Sequence, residues 1–180
     1  MRRVAITGAG TVNALAHDVP GTFAAFREGR CGITDLDIRD KERLAIQIGA
    51  QVHDWDAEAH FNRQQIALYD KFTQFTLLAA RQAVTQSGLN FDGRLGYEAG
   101  VVLGTAGGGV NTWDENYRAV YEEGKNRVHP FVVPKLMNNA AASHVSMEFN
   151  LKGPAFTVAT ACASSNHAMG LAFQMVRAGG

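Results

Sequence analysis

Three shortages frame this 180-residue sequence. Net charge is the first: 17 basic side chains are matched by 17 acidic ones. A general nucleic-acid binder, or a protein held to an anionic membrane by a basic surface, carries an excess of lysine and arginine, so both classes are set aside. Long apolar segments are the second. No uninterrupted apolar run reaches the ~18 residues expected of a membrane-spanning helix. The opening MRRVAITGAG has two arginines and then an apolar run too short for the core of a secretory leader. Cysteine is the third: Cys31 and Cys162 are the only two, and they lie far apart. That spacing argues against a disulfide framework and makes a reducing cytoplasm the expected setting. Internal repeats, charge blocks and low-complexity tracts are missing as well.

What is present suits a single layered domain or a compact half of a larger one. Hydrophobic residues make up 46% of the chain, enough for a full core. RRVAITGAG reads as a first buried strand, followed by a glycine-containing loop. VPGTFAAFREG predicts a short helix with Phe23, Ala24 and Phe26 on its apolar side. AIQIGAQV predicts a short strand. Residues 63 to 87 read as the clearest helix, with Leu68, Phe72, Phe75, Leu78, Ala79 and Ala83 at three- and four-residue steps and Gly88 closing it. YEAGVVLGTAGGGV is a second strand entering a glycine-rich turn. TWDENYRAVYEEG is helical, with Trp113, Tyr117, Val120 and Tyr121 on one side. VHPFVVPKLMNNAAASHVSMEF begins extended and becomes a small-residue helix. GPAFTVATAC is a third strand, and SSNHAMGLAFQMVRAGG is the helix after it. Alternating strands and helices point to an α/β layered fold.

Several motifs fail on inspection. TGAGTVNAL follows a strand-like run, but a dinucleotide-binding turn needs a third glycine where Asn13 stands. Glu28, near the position of a ribose-binding acid, adds little. GTAGGG cannot grip phosphate as a P-loop, because Val110 occupies the lysine position. Its glycines mark a turn or a pocket wall kept free of side chains. His17, His53, His60, His129, His144 and His167 form no zinc-binding pattern, and no metal is expected. His53 and His60 are expected as solvated surface residues.

Cys162 stands apart. The run before it, AFTVAT, is strand-like, and the run after it begins a helix with Met169, Ala172, Phe173 and Val176 at helical spacing. The thiol is therefore expected at or near a helix N-terminus, where unpaired backbone N–H groups and the positive end of the helix dipole favour a thiolate. The same amides can hold an oxyanion that develops on an attacked acyl carbonyl. A buried, inert thiol is the competing reading. Cys31, in a loop after REGR, lacks this context and reads as incidental.

GPAFTVATACASSNHAMG resembles the active-site segment of the type II β-ketoacyl-acyl-carrier-protein synthases, the condensing enzymes of fatty-acid synthesis. RRVAITGAGTVNALA, YDKFTQFTLLAARQAVTQSGL, GVVLGTAGGGVNTWDENY and RVHPFVVPKLMNNAAASHVSMEFNLKGP resemble the family's preceding segments, in order. The likeness covers residues 1–180, and Ser-Ser-Asn-His after the cysteine is similar to the nodulation-type subgroup. The resemblance implies a thiolase-like layered αβαβα fold, of which this chain matches the first half. It implies Cys162 as the catalytic nucleophile, carrying an acyl group while a malonyl thioester loses CO₂ and attacks. No cofactor is implied. The implied partners are acyl carrier protein, malonyl and acyl thioesters, and a second copy of the chain in a homodimer.

The family's two catalytic histidines, its lysine and its second oxyanion donor lie in its second half. None of the histidines here matches their motifs, and His167, five residues after Cys162, is expected to pack or cap. The end at RAGG, where a strand would follow, reads as a cut through a larger fold. Gly107 corresponds to a position that is often isoleucine and gates the acyl pocket, so its lack of a side chain implies wider acyl tolerance. Phe131 matches a residue that reaches across the dimer to the partner's pocket; ordinary core is the alternative. Arg63 and Lys71 remain from the family's basic carrier-docking stretch, with Gln64, Gln65, Ile66 and Leu68 between them, and Lys125 and Arg127 could supplement them. Three other functions compete: a non-catalytic chain-length-type subunit, which would generally lack the cysteine; a thiolase, whose nucleophile segment differs; and a nicotinamide-dependent dehydrogenase, which rests on the failed glycine pattern.

Overall fold

The computed structural model describes residues 2–179. Eight α-helices, one short 3-10 helix and four short strands are assigned among them. The strands form two separate two-stranded sheets. β1 (Ile33–Asp35) and β2 (Ile48–Ala50) pair antiparallel. β3 (Val101–Gly104) and β4 (Ala155–Val158) pair parallel, Val101 opposite Ala155 and Gly104 opposite Val158. Between β3 and β4 the chain passes through α5 (Val110–Tyr121), α6 (Val132–Leu136) and α7 (Ala140–Glu148). α8 (Ser164–Ala178) follows β4. Both α7 and α8 pack against the parallel pair, and α7 packs in turn on α3 (Lys71–Ser87).

The helix expected over residues 63 to 87 is two helices. α2 (Arg63–Leu68) starts at an Asn62–Gln65 capping box, and the chain turns extended at Tyr69. Asp70 then caps α3, and Gly88, at φ 65°, closes it. An aspartate that accepts from the backbone two residues on competes with helix continuation and begins a new helix instead. α3 buries Thr73, Gln74 and Leu77, while the expected stripe is half-buried because neighbours surround the helix. Leu77, Phe61 and Val145 centre the core, with Trp55, Ile66, Tyr69, Ala80, Val101 and Phe149 against them. Gln74 can be buried because both ends of its amide are used: Trp55 Nε1 donates to its Oε1 (2.8 Å), and its Nε2 donates to the Tyr69 carbonyl (3.1 Å).

The N-terminal segment is not a strand. It lies along α3, held through side-chain amides. Ala9 N–H donates to Gln86 Oε1 (2.6 Å) and Thr11 N–H to Gln82 Oε1 (3.0 Å), while Gln82 Nε2 donates to the His17 carbonyl (2.7 Å). A Cβ on Gly8 or Gly10 would overlap the carbonyl of Ala83 or Ala79. The glycine pattern of this loop therefore serves close packing on a helix.

Three apolar helix faces read from the sequence lie outside this chain's core. α1 (Val19–Arg27) buries Ala25 and exposes Phe23 and Phe26. α5 buries Thr112, whereas Trp113, Tyr117, Val120 and Tyr121 are exposed. α8 turns its small residues Ser164 and Ala168 inward and leaves Met169, Phe173 and Val176 exposed. The parallel pair approaches α8 too closely for large side chains: a Cβ on Gly104 would overlap the Ser164 carbonyl.

Candidate active site

β3 and β4 end side by side, and everything of chemical interest follows from those two ends. Thr105 N–H donates to the Val158 carbonyl (3.1 Å), extending the pairing by one bond. From there one chain enters the glycine turn 106–109, and the other runs through Thr160, Ala161 and Cys162 into α8. In parallel sheets the carboxyl ends of strands are the usual place for ligands.

Cys162 is exposed. It lies two residues before Ser164, the first residue of α8, and Ala163 provides no side-chain cap there. Among the described residues the Cys162 N–H finds no acceptor. The turn is held instead by Ala163 N–H to the Thr160 carbonyl (3.0 Å) and Ser164 N–H to the Ala161 carbonyl (3.2 Å). Ser164, 3% exposed, accepts from Thr160 N–H (2.9 Å) and donates from its hydroxyl to the Ala161 carbonyl (2.6 Å). A thiol beside an unpaired amide at the mouth of a helix can attack an acyl carbonyl and steady the oxyanion that forms.

Beyond Thr105, Gly107 is open: a Cβ there would meet only a Val110 methyl, at 3.2 Å. The next two glycines are buried against the end of α6. A Cβ on Gly108, which has φ 57°, would lie 2.5 Å from Asn138 Oδ1, and one on Gly109 would lie 2.7 Å from Leu136 Cα. Gly109 N–H donates to the Leu136 carbonyl (3.0 Å). Asp70 secures the far side. Its carboxylate accepts from Thr112 N–H (2.8 Å) and Thr112 Oγ1 (2.6 Å) in the first turn of α5 while capping α3 through Phe72 N–H (3.3 Å). One buried carboxylate thus joins the starts of two helices beside the glycine turn.

The remaining candidates lie around this frame. Phe131 is the N-cap residue of α6 and 51% exposed, so it is not core of this chain. Its N–H donates to His129 Nδ1 (3.2 Å). Arg63 and Lys71 open α2 and α3 and are exposed. Lys71 borders a cleft with Asp37, Asp54 and Asp56. Lys125 pairs with Glu123 (2.7 Å) on the surface between α5 and α6, and Arg127 is exposed in the same loop. The exposed His167 neither packs nor caps, contrary to expectation. His53 is not freely solvated either: it is half-buried, with Thr34 Oγ1 2.8 Å from its Nε2. His60 is exposed, stacked on Trp55. Among the described residues no metal-binding cluster occurs. Sequence reasoning overlooked Asp70 and Ser164. An aspartate directly before a helical run is a readable cap signal, whereas nothing in sequence marks Ser164 as the hydroxyl that closes the turn.

A family model described as the N-terminal domain of beta-ketoacyl synthase matches residues 1–180, and the chain belongs to that family. Its mixed α/β fold is that of the N-terminal half of thiolase-fold ketosynthases. Among particular relatives, Nodulation protein E of Rhizobium sp. (strain N33) is 39% identical over 178 residues, covering 99% of this chain and 44% of the relative. The 3-oxoacyl-[acyl-carrier-protein] synthase 2 of Staphylococcus aureus (strain N315) is 31% identical over 178 residues, covering 99% of this chain and 43% of the relative. The ishigamide ketosynthase/chain length factor matches in structure with a TM-score of 0.87 at 24% identity, over 99% of this chain and 45% of that one, and shows the fold alone. The chain therefore spans less than half the length of the curated relatives it matches.

Proposed function

We propose that the protein is a β-ketoacyl-acyl-carrier-protein synthase working through an acyl-Cys162 intermediate. The observation that carries this reading is the exposed Cys162 at the start of α8, whose amide finds no partner among the described residues. The Cys162 sulfur attacks an acyl thioester, its N–H steadies the oxyanion, and the carrier's thiol leaves. A malonyl thioester then loses CO₂, and its carbanion attacks the acyl-Cys162 carbonyl. The carbon–carbon bond forms as the carbon–sulfur bond breaks, returning the cysteine thiolate and releasing a chain two carbons longer. Covalent capture divides one difficult transfer into two easier ones. By the family resemblance, the histidines that assist the decarboxylation belong to the family's second half.

Gly107 leaves the acyl pocket ungated, and Phe131, half-exposed at the head of α6, serves the pocket of a second copy. Arg63 and Lys71 meet an acidic carrier protein, with Lys125 and Arg127 beside them. Helix stability gives no reason for the first two: a cation at a helix N-terminus opposes the dipole, by roughly 0.3–1 kcal/mol. The three aspartates around Lys71 weaken its appeal to an acidic partner and place more of that contact on Arg63. The setting is the cytoplasm.

Incubation with acyl-carrier protein, followed by peptide mass spectrometry, is expected to find the acyl group on Cys162 and to lose it in Cys162→Ala. Cerulenin, which modifies the nucleophile of such enzymes, is expected to label the same peptide. Cys31 is also exposed, so the site must be mapped. Label on Cys31 with Cys162 untouched overturns the mechanism and favours a non-catalytic subunit of a condensing heterodimer.

A further inference from the structure

Among the described residues four that are not glycine have positive φ: Asp40, Asp54, Asn150 and Ala161. Three are of the types that tolerate the left-handed region because a short polar side chain can bond locally. Ala161, at φ 47° and directly before Cys162, has no such help of its own. Its support comes from Ser164. That hydroxyl spans the Thr160–Ala161 dipeptide, accepting from the Thr160 N–H (2.9 Å) and donating to the Ala161 carbonyl (2.6 Å). The same carbonyl also accepts from the Ser164 N–H (3.2 Å).

The geometry of one peptide unit does the rest. The Ala161 carbonyl and the Cys162 N–H belong to the same planar trans group, so they point in opposite directions. Anchoring the carbonyl on Ser164 turns the N–H the other way, where it has no acceptor among the described residues. We infer that Ser164 is a positioning residue: its buried hydroxyl holds Ala161 in the left-handed conformation and thereby aims the Cys162 amide outward as an oxyanion donor. This rests on the acyl-Cys162 reading above.

The test separates acyl transfer, which develops an oxyanion on a carbonyl, from alkylation by iodoacetamide, which does not. In the full-length protein, Ser164→Ala is expected to slow single-turnover acyl transfer from acyl-carrier protein to Cys162 by about 10- to 100-fold, short of the roughly 10²–10³ lost when an oxyanion donor is removed outright. Alkylation of Cys162 should stay within about twofold, because the sulfur remains exposed. Adding Ala161→Gly to the Ser164→Ala protein should recover acyl transfer by about fivefold, since glycine enters the left-handed region without steric cost. Acyl transfer at the wild-type rate in Ser164→Ala overturns the assignment. So does a parallel fall of acyl transfer and alkylation, which marks a merely structural serine. Should Ser164→Ala fail to fold, Ala161→Val decides: it keeps the hydroxyl but disfavours positive φ, and the same split between the two rates is expected. Unchanged acyl transfer in that variant overturns the assignment. A wild-type protein that never acylates Cys162 instead refutes the parent mechanism, and the two failures are thereby distinguished.

Discussion

Asp70→Ala is the substitution that tests how this chain is held together. Asp70 is 3% exposed and Thr112, its main partner, is 2% exposed. Two short hydrogen bonds, from Thr112 N–H (2.8 Å) and Oγ1 (2.6 Å), end on one carboxylate oxygen. The longer ones, from Phe72 N–H (3.3 Å) and Asn111 Nδ2 (3.4 Å), weigh less. Hydrogen bonds to a charged acceptor contribute about 1.5–3 kcal/mol each, and alanine leaves both Thr112 donors buried without a partner. Loss of the α3 cap adds about 1 kcal/mol. Relief from holding a carboxylate out of water offsets a few kcal/mol of the total. The net expected loss is about 3 kcal/mol, which moves the urea midpoint down by about 1.5 M at a slope near 2 kcal/mol/M. Hydrogen exchange should quicken at Phe72 in α3 and at Thr112 in α5 together. Asn62→Ala, which uncaps α2 alone, is the control: it should cost about 1 kcal/mol and leave those two amides protected. Stability of Asp70→Ala within about 0.5 kcal/mol of wild type would refute the reasoning and mean that desolvation cancels the bonds.

The other expectations concern single contacts. Gly109→Ala drives a methyl to 2.7 Å from Leu136 Cα and from the Lys135 carbonyl, and should cost roughly 1–3 kcal/mol in urea unfolding. Gly107→Ala meets only a Val110 methyl and should stay within about 0.5 kcal/mol of wild type. Gly107→Ile, on the proposed gating role, should narrow the range of acyl lengths accepted in competition assays. Burial pushes the His144 pKa below its ordinary 6.5, with the ring tilted 4.5 Å from Tyr69. The unfolded chain therefore takes up the proton first as pH falls. The stability tied to a neutral ring is full above the unfolded pKa and is lost between that value and the lower folded one. His144→Gln should flatten that part of the stability–pH curve. Thr73 Oγ1 is buried without a partner, so Thr73→Val should raise stability by about 1 kcal/mol, measured the same way.

Legibility in the sequence followed the range of the forces involved. The helices at 110–121, 140–148 and 164–178 and the strands at 101–104 and 155–158 were readable from local pattern. So was the placement of Cys162 at a strand-to-helix junction. The break at Tyr69–Asp70 was missed because apolar periodicity continues across it, while a single carboxylate decides where the second helix begins. The apolar faces of α5 and α8 were legible as faces, but their exposure was not, because period alone says that a face is apolar, not what covers it. The opening strand failed for a related reason: a β-prone run becomes a strand only where another offers its edge.

The glutamines of α3 grip the opening segment by its main chain, at Ala9 and Thr11, and leave Ile6 92% exposed. Such a clasp is indifferent to most side chains, so the segment should tolerate substitution except where a methyl would strike the helix. Gly8 and Gly10 are those exceptions. Two glycines spaced like a nucleotide-binding signature are here the imprint of a neighbouring helix, and glycine spacing by itself would point a genome survey to the wrong cofactor.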